Sequence, residues 1–169
     1  MLMPQRLECH LARNHVTYSR ILHAPAYSAQ VAASLMHIPG REVAKTVALA
    51  SRSGALLAIL PASYRVNIEK LSASVGEKLQ LMTEPTWREI FPDCESAAIP
   101  SFGELYDVPV YMDQALADDP QIVFGAGTPS ESLRIASLDF IRLVKPKICS
   151  FAESDLDVPK LREPRETPA

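Results

Sequence analysis

A period-two alternation over residues 42–50 is the strongest pattern in the chain, and it predicts a buried strand. One face carries Val43, Lys45, Val47 and Leu49, and the other carries the small residues Ala44, Thr46, Ala48 and Ala50. A second apolar run, residues 55–60, follows after Ser51-Arg52-Ser53-Gly54, a tetrapeptide suited to a hairpin turn. Lys45 shares the bulky face, where an ammonium is costly unless it snorkels, pairs or serves a site needing positive charge. The plainer alternatives are an edge-strand lysine that discourages aggregation, or a stem lying along the sheet with its head in water.

The remaining elements alternate without repeating. The pattern predicts a short helix over residues 5–13, a strand over 17–22 and a helix over 27–36 that Pro39-Gly40 ends. Short helices follow over 68–74 and 86–90, then a loop of small residues from Cys94 to Gly103. Strands are expected over 108–112, 122–124 and 133–136, the second closed by a turn at Gly125-Ala126-Gly127, and a helix over 138–144 stops at Pro146. After Ser150 the chain is polar and rich in charge, which predicts a loose tail. The count favours an α+β fold: a mixed, largely antiparallel, barrel-like sheet with flanking helices.

Composition narrows the classes. At 169 residues, 47% of them hydrophobic, the chain suits one well-packed domain, placed at residues 1–152 with a charged tail at 153–169. No stretch reaches the apolar length of a membrane span, and the first residues show no secretory pattern. Cys9, Cys94 and Cys149 are distant and odd in number, which argues against a disulfide framework and fits a reducing cytoplasm. The four histidines have no metal-ligand spacing, so neither a metal nor another cofactor is expected. A net charge of −3 argues against a protein that wraps a duplex. The acidic tail carries most of that charge, and the nearly neutral body leaves room for contact with one nucleic-acid end.

Several catalytic motifs fail. Gly125-Ala126-Gly127-Thr128-Pro129-Ser130 lacks the third glycine of a dinucleotide fingerprint, and Pro129 interrupts it. There is no phosphate-binding GxxxxGK[ST] loop. Ser101, in Pro100-Ser101-Phe102-Gly103, is not in a GxSxG elbow.

Taken in order, Ala44-Lys45-Thr46-Val47, Leu60-Pro61-Ala62, Ala97-Ala98-Ile99-Pro100-Ser101-Phe102-Gly103, Val110-Tyr111-Met112-Asp113 and Gly125-Ala126-Gly127 resemble the YbaK/EbsC family. These are aminoacyl-tRNA deacylases related to the editing domain of bacterial prolyl-tRNA synthetase. The resemblance spans roughly residues 15–150. It implies trans-editing, the hydrolysis of the ester joining a wrong amino acid to a tRNA 3′ end, with cysteinyl- or alanyl-tRNA for proline as the expected substrates. The implied partners are an aminoacyl-tRNA 3′ end and a prolyl-tRNA synthetase complex, with no membrane. The rival expectation is an inactive relative that binds a tRNA end, a nucleotide or a protein.

By the same resemblance, Lys45 is the essential cation that places the tRNA end. The expected substrate-binding set is Thr46, Ala97, Ile99, Pro100, Phe102, Gly103, Gly125, Ala126, Gly127 and Thr128. Glycine has no Cβ, so the backbone at Gly125 and Gly127 suits close approach to the ester. No Asp, Glu or His in the matched segments is an obvious base. The substrate's own ribose hydroxyl is therefore expected to help activate water, with a neutral Lys45 as the competing base. The family usually has glycine where Ala97 stands and often a second proline where Ser101 stands, and residues 128–130 lack the histidine of some relatives. These departures bear on which amino acid is removed.

Overall fold

The computed structural model describes residues 3–95 and 98–154. Strands β2 (Ala44–Ser51) and β3 (Gly54–Pro61), numbered in chain order, form the hairpin, with Ser51 opposite Gly54 and Lys45 opposite Leu60. Gly54, at φ 127°, takes a turn conformation closed to residues with a Cβ. From Leu56 onward β3 is buried on both faces, as its unbroken apolar run demands of a central strand. Beside it lies β6 (Val110–Asp113), parallel, and beside β6 lies β9 (Lys147–Cys149), also parallel. On the other side β5 (Gln80–Leu81) pairs with β2, but only at Leu49 and Ala50.

A second, antiparallel sheet has the order β1 (Tyr18–Leu22), β8 (Glu131–Ala136), β7 (Gln121–Thr128). A third contains β4 (Tyr64–Val66) and β10 (Ala152–Ser154). A parallel bridge between Val43 and Val123 joins the first two sheets. The fold is thus mixed α+β and largely antiparallel, without a closed barrel among the described residues. Among the described residues six α-helices flank it: α1 (Gln5–Arg13), α2 (Ala29–Met36), α3 (Ile68–Val75), α4 (Glu84–Ile90), α5 (Gln114–Ala117) and α6 (Ser137–Val144).

The two faces of β2 serve two cores. Ala44 and Ala48 join Leu57, Ile59, Val110 and Met112 in the main cluster, which also holds Phe102, Phe124 and Phe140. Those three rings pack with centroids 5.2 to 5.9 Å apart in tilted or edge-on arrangements, the geometry aromatic pairs prefer. Val47 and Leu49 face the smaller cluster of Leu56, Ala58, Leu60, Leu71, Tyr111 and Phe151.

Two expectations need revision. The chain after Ser150 is ordered as far as Ser154, because Asp113 accepts hydrogen bonds from the Phe151 and Ala152 amides, both at 2.8 Å, and delivers β10 to β4. Residues 155–169 lie outside the described residues. Gly125-Ala126-Gly127 does not close β7 as a turn. The strand runs on to Thr128 through a bulge, for which Gly127 supplies a φ of 88°.

A buried pair pins α1 to the 3-10 turn at Gly103–Tyr106. His10 Nε2 lies 3.3 Å from a Glu104 carboxylate oxygen, without hydrogen-bond geometry. Burial pushes the Glu104 carboxyl up to about 7 and lowers the His10 imidazole. A raised carboxyl stabilises the fold fully below its unfolded value, and that stability is lost as the pH rises through about 7. For His10 the contribution is present above the unfolded value and lost on acidification. Glu104→Gln should therefore leave stability near pH 5 little changed and raise it at pH 8, on the order of 2 kcal/mol. Urea unfolding at both pH values reads this directly, and an equal effect at the two would contradict it.

Candidate functional site

A cavity of about 290 Å³ opens along the part of β2 that β5 leaves uncovered. Because β5 covers only Leu49 and Ala50, the edge from Val43 to Val47 lines this space instead of pairing with β5. Helix α2 forms one wall with its small residues Ala29 and Ala32. It starts at Ser28, whose hydroxyl caps the Val31 amide at 3.2 Å, and its opposite side leaves Val31 and Leu35 exposed, while exposed Tyr27, just before the helix, lines the cavity. The end of the β7–β8 hairpin supplies the other wall, with Gly125, Thr128, Pro129, Glu131 and Ser132. Ala98 and Ile99 of the loop close the space.

Lys45 lines this cavity, half-buried, on a strand that hydrogen-bonds along its whole length to β3. Its Nζ donates to the Tyr64 carbonyl in β4. Thr46 points to the opposite face of β2, and its hydroxyl lies 2.8 Å from that of buried Ser101. That bond ties the loop to the strand that carries the lysine.

The expected residues divide into two groups. Lys45, Thr46, Ile99, Gly125 and Thr128 surround the cavity. At Gly125 an added Cβ would meet nothing within 4 Å, so its backbone faces open space. Pro100, Phe102, Gly103, Ala126 and Gly127 lie behind the lining, all buried. Phe102 belongs to the aromatic core, and a Cβ on Gly103 would sit 2.4 Å from the Val108 carbonyl oxygen. One on Gly127 would meet Pro4 at 2.7 Å. Ala97 lies outside the described residues.

Sequence reasoning missed the polar end of the cavity. His23 Nε2 is 2.9 Å from the Ser132 hydroxyl, and His23 Nδ1 is 2.8 Å from the Ala24 carbonyl oxygen. Glu131, 2% exposed, pairs with Arg20 at 2.5 Å. The sequence signal for it is an acid and a serine, Glu131 and Ser132, opening a strand. No group of three metal-ligating side chains occurs among the described residues. The cysteines are free thiols, and burial pushes that of Cys94 up to about 11, which keeps it protonated and inert.

The site is thus a lysine-bearing strand edge facing a small, partly open cavity in an α+β domain. The aminoacyl-tRNA editing domain model matches residues 23–143, and the chain belongs to that family, the YbaK family. Among solved structures, a candidate trans-editing enzyme for prolyl-tRNA synthetase superposes with a TM-score of 0.78 at 22% identity, covering 91% of this chain and all of that one. A hypothetical protein gives 0.80 at 16% identity, covering 88% of this chain and 100% of its own. A candidate signal transduction protein from Marinobacter aquaeolei VT8 gives 0.73 at 18% identity, over 94% of this chain and 32% of that larger one. Identities this low show a shared fold. No functionally curated protein matches the sequence.

Proposed function

We propose that this chain is a trans-editing deacylase that hydrolyses the ester of a mischarged aminoacyl-tRNA. The observation that carries the reading is Lys45 beside a cavity sized for a small aminoacyl group, in a chain of the editing family. In this reading the Lys45 ammonium holds the phosphate of the terminal nucleotide, a point charge fixed by the sheet. The amide near Gly125 faces the ester oxygen as negative charge develops. Ala98 and Ile99 form the wall around the aminoacyl group, and Pro100, Phe102 and Gly103 anchor that wall from behind. Water adds to the ester carbonyl, the carbon–oxygen bond to the ribose breaks, and the neighbouring ribose hydroxyl relays the proton to the departing oxygen.

The family resemblance puts cysteinyl- and alanyl-tRNA for proline first among substrates, acting alongside prolyl-tRNA synthetase, and a cytoplasmic setting follows from that work. The test is deacylation of proline tRNA charged separately with alanine, cysteine, serine and proline. Release from a mischarged species, with prolyl-tRNA spared, is the expected result. Intact esters throughout would leave a module that binds the tRNA end without hydrolysis.

A further inference from the structure

Ser132 and His23 meet at the polar end of the cavity, and both line it. His23 Nδ1 lies 2.8 Å from the Ala24 carbonyl oxygen, which can only accept, so that nitrogen carries the hydrogen. In the neutral ring Nε2 is then the acceptor, and the Ser132 hydroxyl, 2.9 Å away, donates to it. A hydroxyl bonded to an imidazole whose far nitrogen is held by a third group is the arrangement that activates a serine. Here the third group is a main-chain oxygen, because the neighbouring carboxylate, Glu131, is taken by Arg20.

Two further observations separate this pair from a structural tie. The segment after β1 is already fastened to the β7–β8 turn by main-chain bonds, from the His23 N–H to the Ser130 carbonyl at 3.0 Å and from the Ala26 N–H to the Pro129 carbonyl at 2.8 Å. The side-chain bond adds little to that anchorage. Register also places Ser132 directly opposite Gly125, so their side-chain directions share one face of the hairpin. A Cβ on Gly125 would meet nothing within 4 Å, and open space therefore flanks the serine.

We infer that Ser132, activated by His23, is a nucleophile toward small acyl esters and takes up the acyl group as a covalent acyl-serine. Ser132 Oγ bonds to the acyl carbon as its proton passes to His23 Nε2. The bond from that carbon to the alcohol oxygen breaks, and the proton on Nε2 goes to the departing oxygen. Water then adds to the acyl-serine and gives a proton to Nε2, and the acid leaves as that proton returns to Ser132 Oγ. Lys45, on the β2 edge of the same cavity, is the cation that suits the oxyanion formed at each step. A space of about 290 Å³ confines the activity to small acyl groups. The dyad needs an acyl group and no nucleotide, so the inference stands apart from the editing reading, in which water adds directly.

The test mixes p-nitrophenyl acetate with the full chain, quenches with acid at early times and maps the acetylated peptides by mass spectrometry, for wild type, Ser132→Ala and His23→Gln. Wild type should carry the acetyl group on the peptide containing Ser132, and Ser132→Ala should lose that label. His23→Gln should acetylate Ser132 at least about 100-fold more slowly, the share that a positioned base supplies. Glutamine can still hold the serine hydroxyl, so slow acetylation with an unchanged melting temperature reads the base and not the tie. Acetyl groups confined to cysteine or lysine peptides in wild type would overturn the inference, as would equal labelling of Ser132 in His23→Gln. The same preparation is assayed on mischarged proline tRNA. A labelled Ser132 with the tRNA esters intact would uphold the inference and sink the deacylase, while ester hydrolysis with Ser132 unlabelled would do the reverse.

Discussion

Lys45→Ala should fold as wild type does and lose at least about 100-fold in kcat/KM for the mischarged ester, the effect of removing one fixed charge from a transition state. The asymmetry between the two outcomes follows from placement. The side chain is half-buried, and among the structural ties lost is its hydrogen bond to the Tyr64 carbonyl. A single such bond contributes about 1 kcal/mol net. The β2–β3 ladder, eight residues in register from Ala44 to Ser51, does not depend on the ammonium. Circular dichroism and urea unfolding beside the deacylation assay separate the two effects. A variant that keeps its activity would remove Lys45 from the reaction, and one that unfolds would contradict the expected independence of the fold from the ammonium.

Phe102→Ala should do the opposite and destabilise the fold by about 3–5 kcal/mol, a large share of the stability of a domain this size. Phe102 is fully buried, packs against Phe124 and Phe140, and meets the His10 ring edge-on at 6.0 Å. Truncation opens a cavity where the main core, α1 and the loop meet, and the surrounding rings are too large to fill it. The urea midpoint should fall sharply, and Phe102→Leu should recover much of the loss by restoring volume. An unfolding free energy within about 1 kcal/mol of wild type, little more than a surface change gives, would show that the aromatic cluster does not hold the core together.

These two residues show what was legible beforehand. Period two placed Lys45 on the face of Val47 and Leu49, and the structure keeps it there, because a hairpin buried on both sides fixes its register. The β2–β3 turn at Gly54, the helix α1 and the helix α6 likewise fall close to where periodicity and breakers placed them. By contrast β4, β9 and β10 are three residues each, too short for any period to be visible, and their pairing is set by Asp113 and by the neighbouring strands. Segment similarity grouped Phe102 and Gly103 with the lining, but it cannot tell a wall from what supports it. The His23–Ser132 contact joins residues 109 positions apart, and only a folded chain brings them together.

One acceptor that holds Lys45, at Tyr64, is a main-chain oxygen, and every amino acid has one. Residue 64 can therefore drift through evolution without loosening that grip, as long as β4 stays in the sheet opposite β10. Comparison of related chains would see no correlated exchange between positions 45 and 64, although the two touch. The selective pressure falls on the pairing of β4 with β10, so changes remote from the cavity are where an inherited loss of its geometry would begin.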